Sequence, residues 1–209
     1  MPALVAALLA FTALAQPPAE ASAAADAVRR LEAHNRTVRD VSARFTQSYR
    51  SGLIGREIVE KGTLRIKRPG RMLWEYTEPE SKTFVSDGRR IWFYVPADRQ
   101  VIVREQAGQR GVAMSLLAGE AGLLEQFAAS YEGRFGGLTR IRLLPRHKDP
   151  EVDGLAIELD AASRIVSIEI TDAQGNRSRF RFEAVEENVG LDDRLFRFQV
   201  PKGVEVVAG

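Results

Sequence analysis

From Ile58 to Arg104 the chain repeats one pattern: a short run in which apolar and polar residues alternate, then a turn. Leu64 and Ile66 alternate with Thr63, Arg65 and Lys67. Met72, Trp74 and Tyr76 alternate with Arg71 and Glu75. Phe84 to Asp87 follows. Ile91, Phe93 and Val95 then alternate with Arg90, Trp92 and Tyr94, and Val101 and Val103 precede Arg104. Arg68-Pro69-Gly70, Glu78-Pro79-Glu80, Asp87-Gly88 and Pro96-Ala97-Asp98 separate the runs with turn-forming residues. Side chains along a strand point to opposite faces in turn, so this period predicts an antiparallel meander with one apolar face.

The flanking segments extend that picture. Val28, Leu31, Val38, Val41 and Phe45 fall near helical spacing, which predicts an amphipathic helix over Asp26 to Gln47 with Asp26 as its N-cap. Residues 16–25 are Ala/Pro-rich and are expected to be disordered. Gly111 to Phe127, with Val112, Met114, Leu116, Leu117, Leu123 and Leu124, suits one or two short helices. Strands are expected again at 127–132, 138–144, 155–159, 165–170, 177–183 and 196–200. The sum is a mainly β chain with some α: about ten to eleven strands in one continuous antiparallel sheet. A sheet that long curls and buries one face, so a barrel-like form closed by helices is expected. Ile58, Leu64, Ile66, Met72, Trp74, Phe84, Ile91 and Phe93 would line that face. Ile141, Leu143, Leu155, Ile157, Leu159, Phe180, Phe182, Phe196 and Phe198 would continue it. Leu31 and Phe45 on the first helix, and Met114 and Leu117 on the short ones, would cover it. From periodicity alone the face is either a packed core or a cavity for an apolar ligand.

The chain has 209 residues, with 30 Lys and Arg against 28 Asp and Glu, a formal net charge of +2. So small an excess gives no reason to expect nucleic acid. The absence of Cys excludes disulfides, thiol nucleophiles, thiolate metal sites and lipid attachment to an N-terminal Cys. The two His, His34 and His147, sit in no spacing that ligates metal or serves a nucleophile, and both are read as solvated surface residues. No nucleophile elbow or phosphate-binding loop is present, so neither an enzyme nor a cofactor is expected. Ala3 to Ala15 is an apolar run of h-region length, shorter than the roughly 20 residues a membrane span needs. Small residues at Ala13 and Ala15 suit a signal peptidase. A signal peptide over residues 1–15, export to the periplasm and a single domain over 26–209 are therefore expected.

Several ordered motifs resemble one bacterial family. They are Phe45-Thr46-Gln47; Gly62-x-Leu64-x-Ile66-Lys67-Arg68-Pro69; Trp74-Glu75-Tyr76-x-x-Pro79; Val85-Ser86-Asp87-Gly88; Ile91-Trp92-Phe93-Tyr94-x-Pro96; and, at the end, Phe196-x-Phe198-x-x-Pro201-x-Gly203-Val204. Together, from about Val28 to Val206, they are similar to the outer-membrane lipoprotein carriers of the LolA family. The resemblance implies an unclosed antiparallel half-barrel with a helical lid over an apolar cavity. It implies acyl chains of lipoproteins as cargo, an inner-membrane ABC transporter as donor and a LolB-like outer-membrane acceptor. It also implies that Arg68 controls the lid through hydrogen bonds, with acceptors expected in the Met114 to Leu117 segment, and that the chain acts as a monomer. A related half-barrel for another lipid, or a non-enzymatic envelope sensor or scaffold, is the alternative.

Overall fold

The computed structural model describes residues 18–106, 112–119, 122–149 and 152–209. Helix α1 (Pro18–Thr37) leads into strands β1 (Asp40–Arg50), β2 (Glu57–Lys67), β3 (Arg71–Glu78), β4 (Lys82–Asp87), β5 (Arg90–Val95) and β6 (Gln100–Glu105). Short helices α2 (Val112–Ala118) and α3 (Leu123–Gln126) follow. Then come β7 (Phe127–Phe135), β8 (Leu138–Pro145), β9 (Gly154–Leu159), β10 (Ile165–Thr171), β11 (Arg177–Glu187) and β12 (Glu205–Ala208). Twelve strands form one sheet in the order β12-β6-β5-β4-β3-β2-β1-β11-β10-β9-β8-β7. Two antiparallel meanders thus meet where β1 pairs with β11, while β7 and β12 are edges that do not pair, so the sheet stays open.

The first helix is shorter at its end than the spacing predicts, and starts earlier. It stops at Thr37, and Asp40–Arg50 is the central strand of the sheet, paired with β2 on one side and β11 on the other. Val41 and Phe45, four residues apart, satisfy a period of two as well as one of 3.6, and Ala43 between them satisfies only the first. Hydrogen bonding to strands on both sides decides between them, an instance of tertiary context overriding a local pattern. At the other end, residues 18–25 are helical rather than disordered, and Ala24 is fully buried. The proposed signal peptide lies outside the described residues.

Directly opposed residues of an antiparallel pair share a face. Ala43, Leu64, Trp74, Phe84, Phe93 and Ile102 form one such row across β1 to β6. Tyr131, Ile141, Ile157, Ile168 and Phe180 form another across β7 to β11. Ala27, Val28 and Leu31 of α1, Leu116 and Ala118 of α2 and Leu123 of α3 join most of these residues in one buried cluster. The helices therefore cover the inner face. Burial of each large apolar side chain contributes roughly 1.5–3 kcal/mol, so this shared cluster dominates the stability of the fold.

The C-terminal segment departs from expectation. Phe196 and Phe198 do not continue the inner face and no strand forms at 196–200. Asp193–Phe196 is a short 3-10 turn, and the chain next enters the sheet at β12, parallel to β6. Leu73, Val85 and Trp92 point away from the inner face, and Phe196 and Phe198 pack on them from outside. Trp92 and Phe198 stack with ring centroids 6.3 Å apart. Lys67 and Arg71 both reach the Asp193 carboxylate, at 2.6 and 2.8 Å, and fix this strap at its start. Substituting Phe196→Ala should therefore destabilise the fold by about 3–5 kcal/mol in urea denaturation, whereas Leu195→Ala, half in solvent, should shift it by about 0.5 kcal/mol or less.

Candidate functional site

At the middle of the inner face the sheet carries a group of aromatic rings. Phe45 lies edge-on to Trp74 and to Tyr76, each at 4.9 Å between centroids. Trp74 in turn meets Phe180 at 5.4 Å and Phe182 at 6.4 Å. Gly62 makes room for this group: it stands opposite Phe45, and a Cβ there would fall 2.0 Å from the Glu75 carbonyl oxygen and 2.9 Å from the Phe45 ring. Two polar groups sit among the rings. Tyr76 donates its hydroxyl to Gln47 Oε1 at 2.7 Å, and burial together with the Glu60 carboxylate pushes its ionisation well above the ordinary range. Trp74 Nε1 is buried and finds no acceptor among the described residues.

Arg68 sits at the end of β2, in the turn before β3. Its guanidinium donates to the carbonyl oxygens of Asn35 and Val38, the latter at 2.8 Å, and to Asn35 Oδ1 at 3.2 Å. These carbonyls lie at the C-terminus of α1, where a helix leaves its last C=O groups without partners and presents partial negative charge. A forked cation satisfies several of them at once. The same guanidinium lies flat against Gly119, just beyond α2, at a position where a Cβ would come within 2.4 Å of it. Gly119 has a φ of +76°, so the site calls for glycine twice over. Burial pulls the Arg68 guanidinium below its ordinary pKa, and the Glu187 carboxylate partly offsets this. Arg68 Nε is buried without an acceptor among the described residues. Among the described residues the acceptors are thus at the end of α1 and just beyond it rather than in the Met114 to Leu117 segment, and α2 meets this guanidinium by contact at Gly119.

Other ties converge on the same corner. His34 Nε2 lies 2.8 Å from Glu187 Oε1 at the end of β11, with the imidazole only 19% exposed, so His34 is a structural partner and not a solvated surface residue. Asn188 Oδ1 accepts from the Arg39 N–H at 2.7 Å, and the buried Asp40 carboxylate accepts from the N–H groups of Val189 and Gly190. Further along α1, Glu32 Oε1 accepts from Gly122 and Leu123 at 3.0 and 2.9 Å and so ties α1 to α3.

Between α1, α2 and the sheet a pocket opens beside Arg68. His34, Asn35, Arg68, Arg164 and Glu187 rim it; Val41, Ala43, Leu64, Ile66, Leu117 and Phe182 form its floor. The space open to water there is about 40 Å³, room for a few water molecules at roughly 10–15 Å³ each. In this pocket an apolar floor is reached past a charged rim.

Of the expected lining residues, Leu31, Phe45, Leu64, Ile66, Met72 and Trp74 are buried together in the inner cluster, and Phe84 and Leu117 pack against it. Phe45 arrives there from β1 and not from a helix. Ile91 and Phe93 are half-buried in the same sheet rows, on the β5 side. Met114 lies on α2, and its side chain is outside the described residues. Ile58 keeps the register of the inner face but stands 40% exposed near the start of β2, outside the buried cluster. The sequence reading missed Asn35, Val38 and Gly119 as partners of Arg68. The pattern Asn35-x-x-Val38 just before a polar strand start was a signal for a helix end, had the helix not been carried through to Gln47.

The comparisons with known proteins agree with this architecture. The outer membrane lipoprotein carrier protein LolA family model matches residues 36–199. An outer-membrane lipoprotein carrier protein of Chromobacterium violaceum is 32% identical over 191 residues, covering 90% of this chain and 91% of the relative. One of Alkalilimnicola ehrlichii is 34% identical over 172 residues, covering 81% and 78%. Among solved structures, an uncharacterized conserved protein from Thermus thermophilus aligns with a TM-score of 0.57 at 12% identity, over 90% of this chain and 99% of that one, a likeness of fold. With its open sheet, its helix-covered apolar face and a family match over most of its length, the chain belongs to the LolA family of outer membrane lipoprotein carriers.

Proposed function

We infer that this chain is a periplasmic carrier that shields the acyl chains of lipoproteins between membranes and delivers them to the outer membrane. The observation that carries this reading is the inner face itself, apolar across both meanders yet covered by three helices held at one corner. A lipidated protein needs a container that buries its tails and leaves its folded part outside, and a sheet open at one side suits that shape.

The energetics explain why the apolar face is covered by helices. Burying acyl chain yields roughly 0.8 kcal/mol per CH₂, so a sixteen-carbon chain contributes on the order of 12 kcal/mol. Several such chains would exceed the ceiling of about 20 kcal/mol seen for non-covalent affinities, and cargo would not leave. Covering the inner face with α1, α2 and α3 converts loading into an exchange: Leu31, Leu116 and Leu123 withdraw as chains enter, and the net gain stays moderate. The Arg68 bonds to Asn35 and Val38 hold the covered state and are given up on loading. Trp74 Nε1 and Arg68 Nε, buried donors without acceptors among the described residues, offer hydrogen bonds to ester or amide carbonyls next to the acyl chains. An unmet buried donor costs about 1–3 kcal/mol, so such a partner would be favoured. In this reading the N-terminal signal peptide directs export. An inner-membrane ABC transporter then supplies cargo to the monomeric carrier, and a LolB-like acceptor with stronger affinity for the chains receives it. No step calls for catalysis or a cofactor.

Two measurements check this. Purified protein mixed with a triacylated lipoprotein should form a soluble complex, and the same lipoprotein with its lipid-bearing Cys changed to Ser should not; equal binding of both forms, or of neither, contradicts the carrier reading. Substituting Arg68→Leu should leave the far-UV spectrum of the fold intact, raise the uptake of an apolar fluorophore several-fold and impair the loading and delivery cycle. Normal uptake and normal delivery would remove the latch role from Arg68.

A further inference from the structure

The hairpin between β1 and β2 ends in Ser51-Gly52-Leu53-Ile54-Gly55-Arg56, and Leu53 and Ile54 are 89% and 75% exposed, the highest values among the exposed large apolar residues described. We propose that this tip is a membrane-contact point: Leu53 and Ile54 dip into the interfacial layer of an anionic phospholipid bilayer while Arg50, Arg56 and Arg177 engage its phosphates.

Four features support this. The hairpin protrudes, because β2 pairs with β3 only from Lys61 onward, which leaves Ile58 and Val59 40% and 49% exposed behind the tip. The tip is held in place: Gly52 donates to Asn176 Oδ1 at 3.0 Å, Ser51 donates to the Arg56 carbonyl at 3.1 Å, and Gly52 packs so closely on the next hairpin that a Cβ would fall 2.7 Å from the Gln174 carbonyl oxygen. The surrounding charge is basic. Arg50 stands opposite Arg177 of β11, both exposed, with Arg56 across the turn; against them stands the exposed Glu57, while the Asp172 carboxylate is turned into its own hairpin, accepting from Gln174 and Asn176. Finally, two apolar side chains are far too small a patch for a stable protein interface, which needs about 1,000 Å² or more. Interfacial membrane contact, by contrast, works with a few apolar side chains beside arginines that the surface potential attracts.

The tip lies at the opposite end of β1 from Arg68, roughly 35 Å along an eleven-residue strand at about 3.3 Å per residue. Contact with a bilayer there leaves the charged rim beside Arg68 accessible. The proposal stands on the tip alone and does not depend on what the interior carries.

The test uses cargo-free, full-length mature protein and co-sedimentation with vesicles. Wild type should sediment with vesicles of phosphatidylethanolamine and phosphatidylglycerol, and less with phosphatidylcholine alone, with added salt weakening the binding. The Leu53→Asn/Ile54→Asn double variant, altered only at exposed positions, should bind about tenfold more weakly. Arg56→Gln should reduce the preference for the anionic vesicles. Equal binding by the double variant, or no binding by wild type, overturns the proposal. So does concentration-dependent self-association that the double variant abolishes without any vesicle binding, which would make a second copy the occupant. Because no lipoprotein is present, failure here leaves the acyl-carrier test untouched.

Discussion

A twelve-stranded sheet whose edges do not meet has one apolar face that it cannot cover by itself. Everything else in the molecule follows from that deficit. A closed barrel would bury its lining with side chains from all around; here the cover comes from α1, α2 and α3, which are attached at few points and can in principle be exchanged for something else of the same chemistry. The opposite face is treated differently. The strap from Leu191 to Phe198 packs outside β3, β4 and β5 and consolidates the half of the sheet that carries the latch.

The cover is anchored where charge is expensive to bury. Arg68, His34, Glu187, Asp40 and Asn188 meet at one corner, and most of their bonds end on backbone groups at the close of α1 or just after β11. Such bonds are strong when made and costly when half made, which favours a cover that is either seated or released. Leucines facing leucines would give a continuum of loosened states. In the proposed cycle the polar corner therefore supplies the two-state character, and the apolar interior supplies the capacity.

The meander from β2 to β6, the short helices α2 and α3, the inner positions Leu64, Ile66, Met72, Trp74 and Phe84, and the family itself were all legible in the sequence, because alternation and turn residues coincide there. The start of the chain was not. Val41 and Phe45, four residues apart, fit a helix or a strand equally, and only pairing with β11, some 140 residues away, makes β1 the centre of the sheet. Phe196 and Phe198 read as lining because they alternate, yet alternation reports two faces and not which of them is inner. The partners of Arg68 were invisible for a related reason: they are carbonyls, and a backbone acceptor leaves no mark on residue identity. His34 and Glu187 gave no local signal of meeting across the fold.

In the proposed cycle the helices leave the inner face when lipid tails take it. The chain has no Cys, so two introduced cysteines can carry spin labels without further changes. With labels at Ser115 on α2 and Arg44 on the outer side of β1, pulsed electron resonance gives the separation of cover and sheet with and without a triacylated lipoprotein bound. In the loaded protein the distances should shift clearly to longer values. An unchanged distribution with cargo bound would mean that the tails lie elsewhere and that the helices are ordinary core.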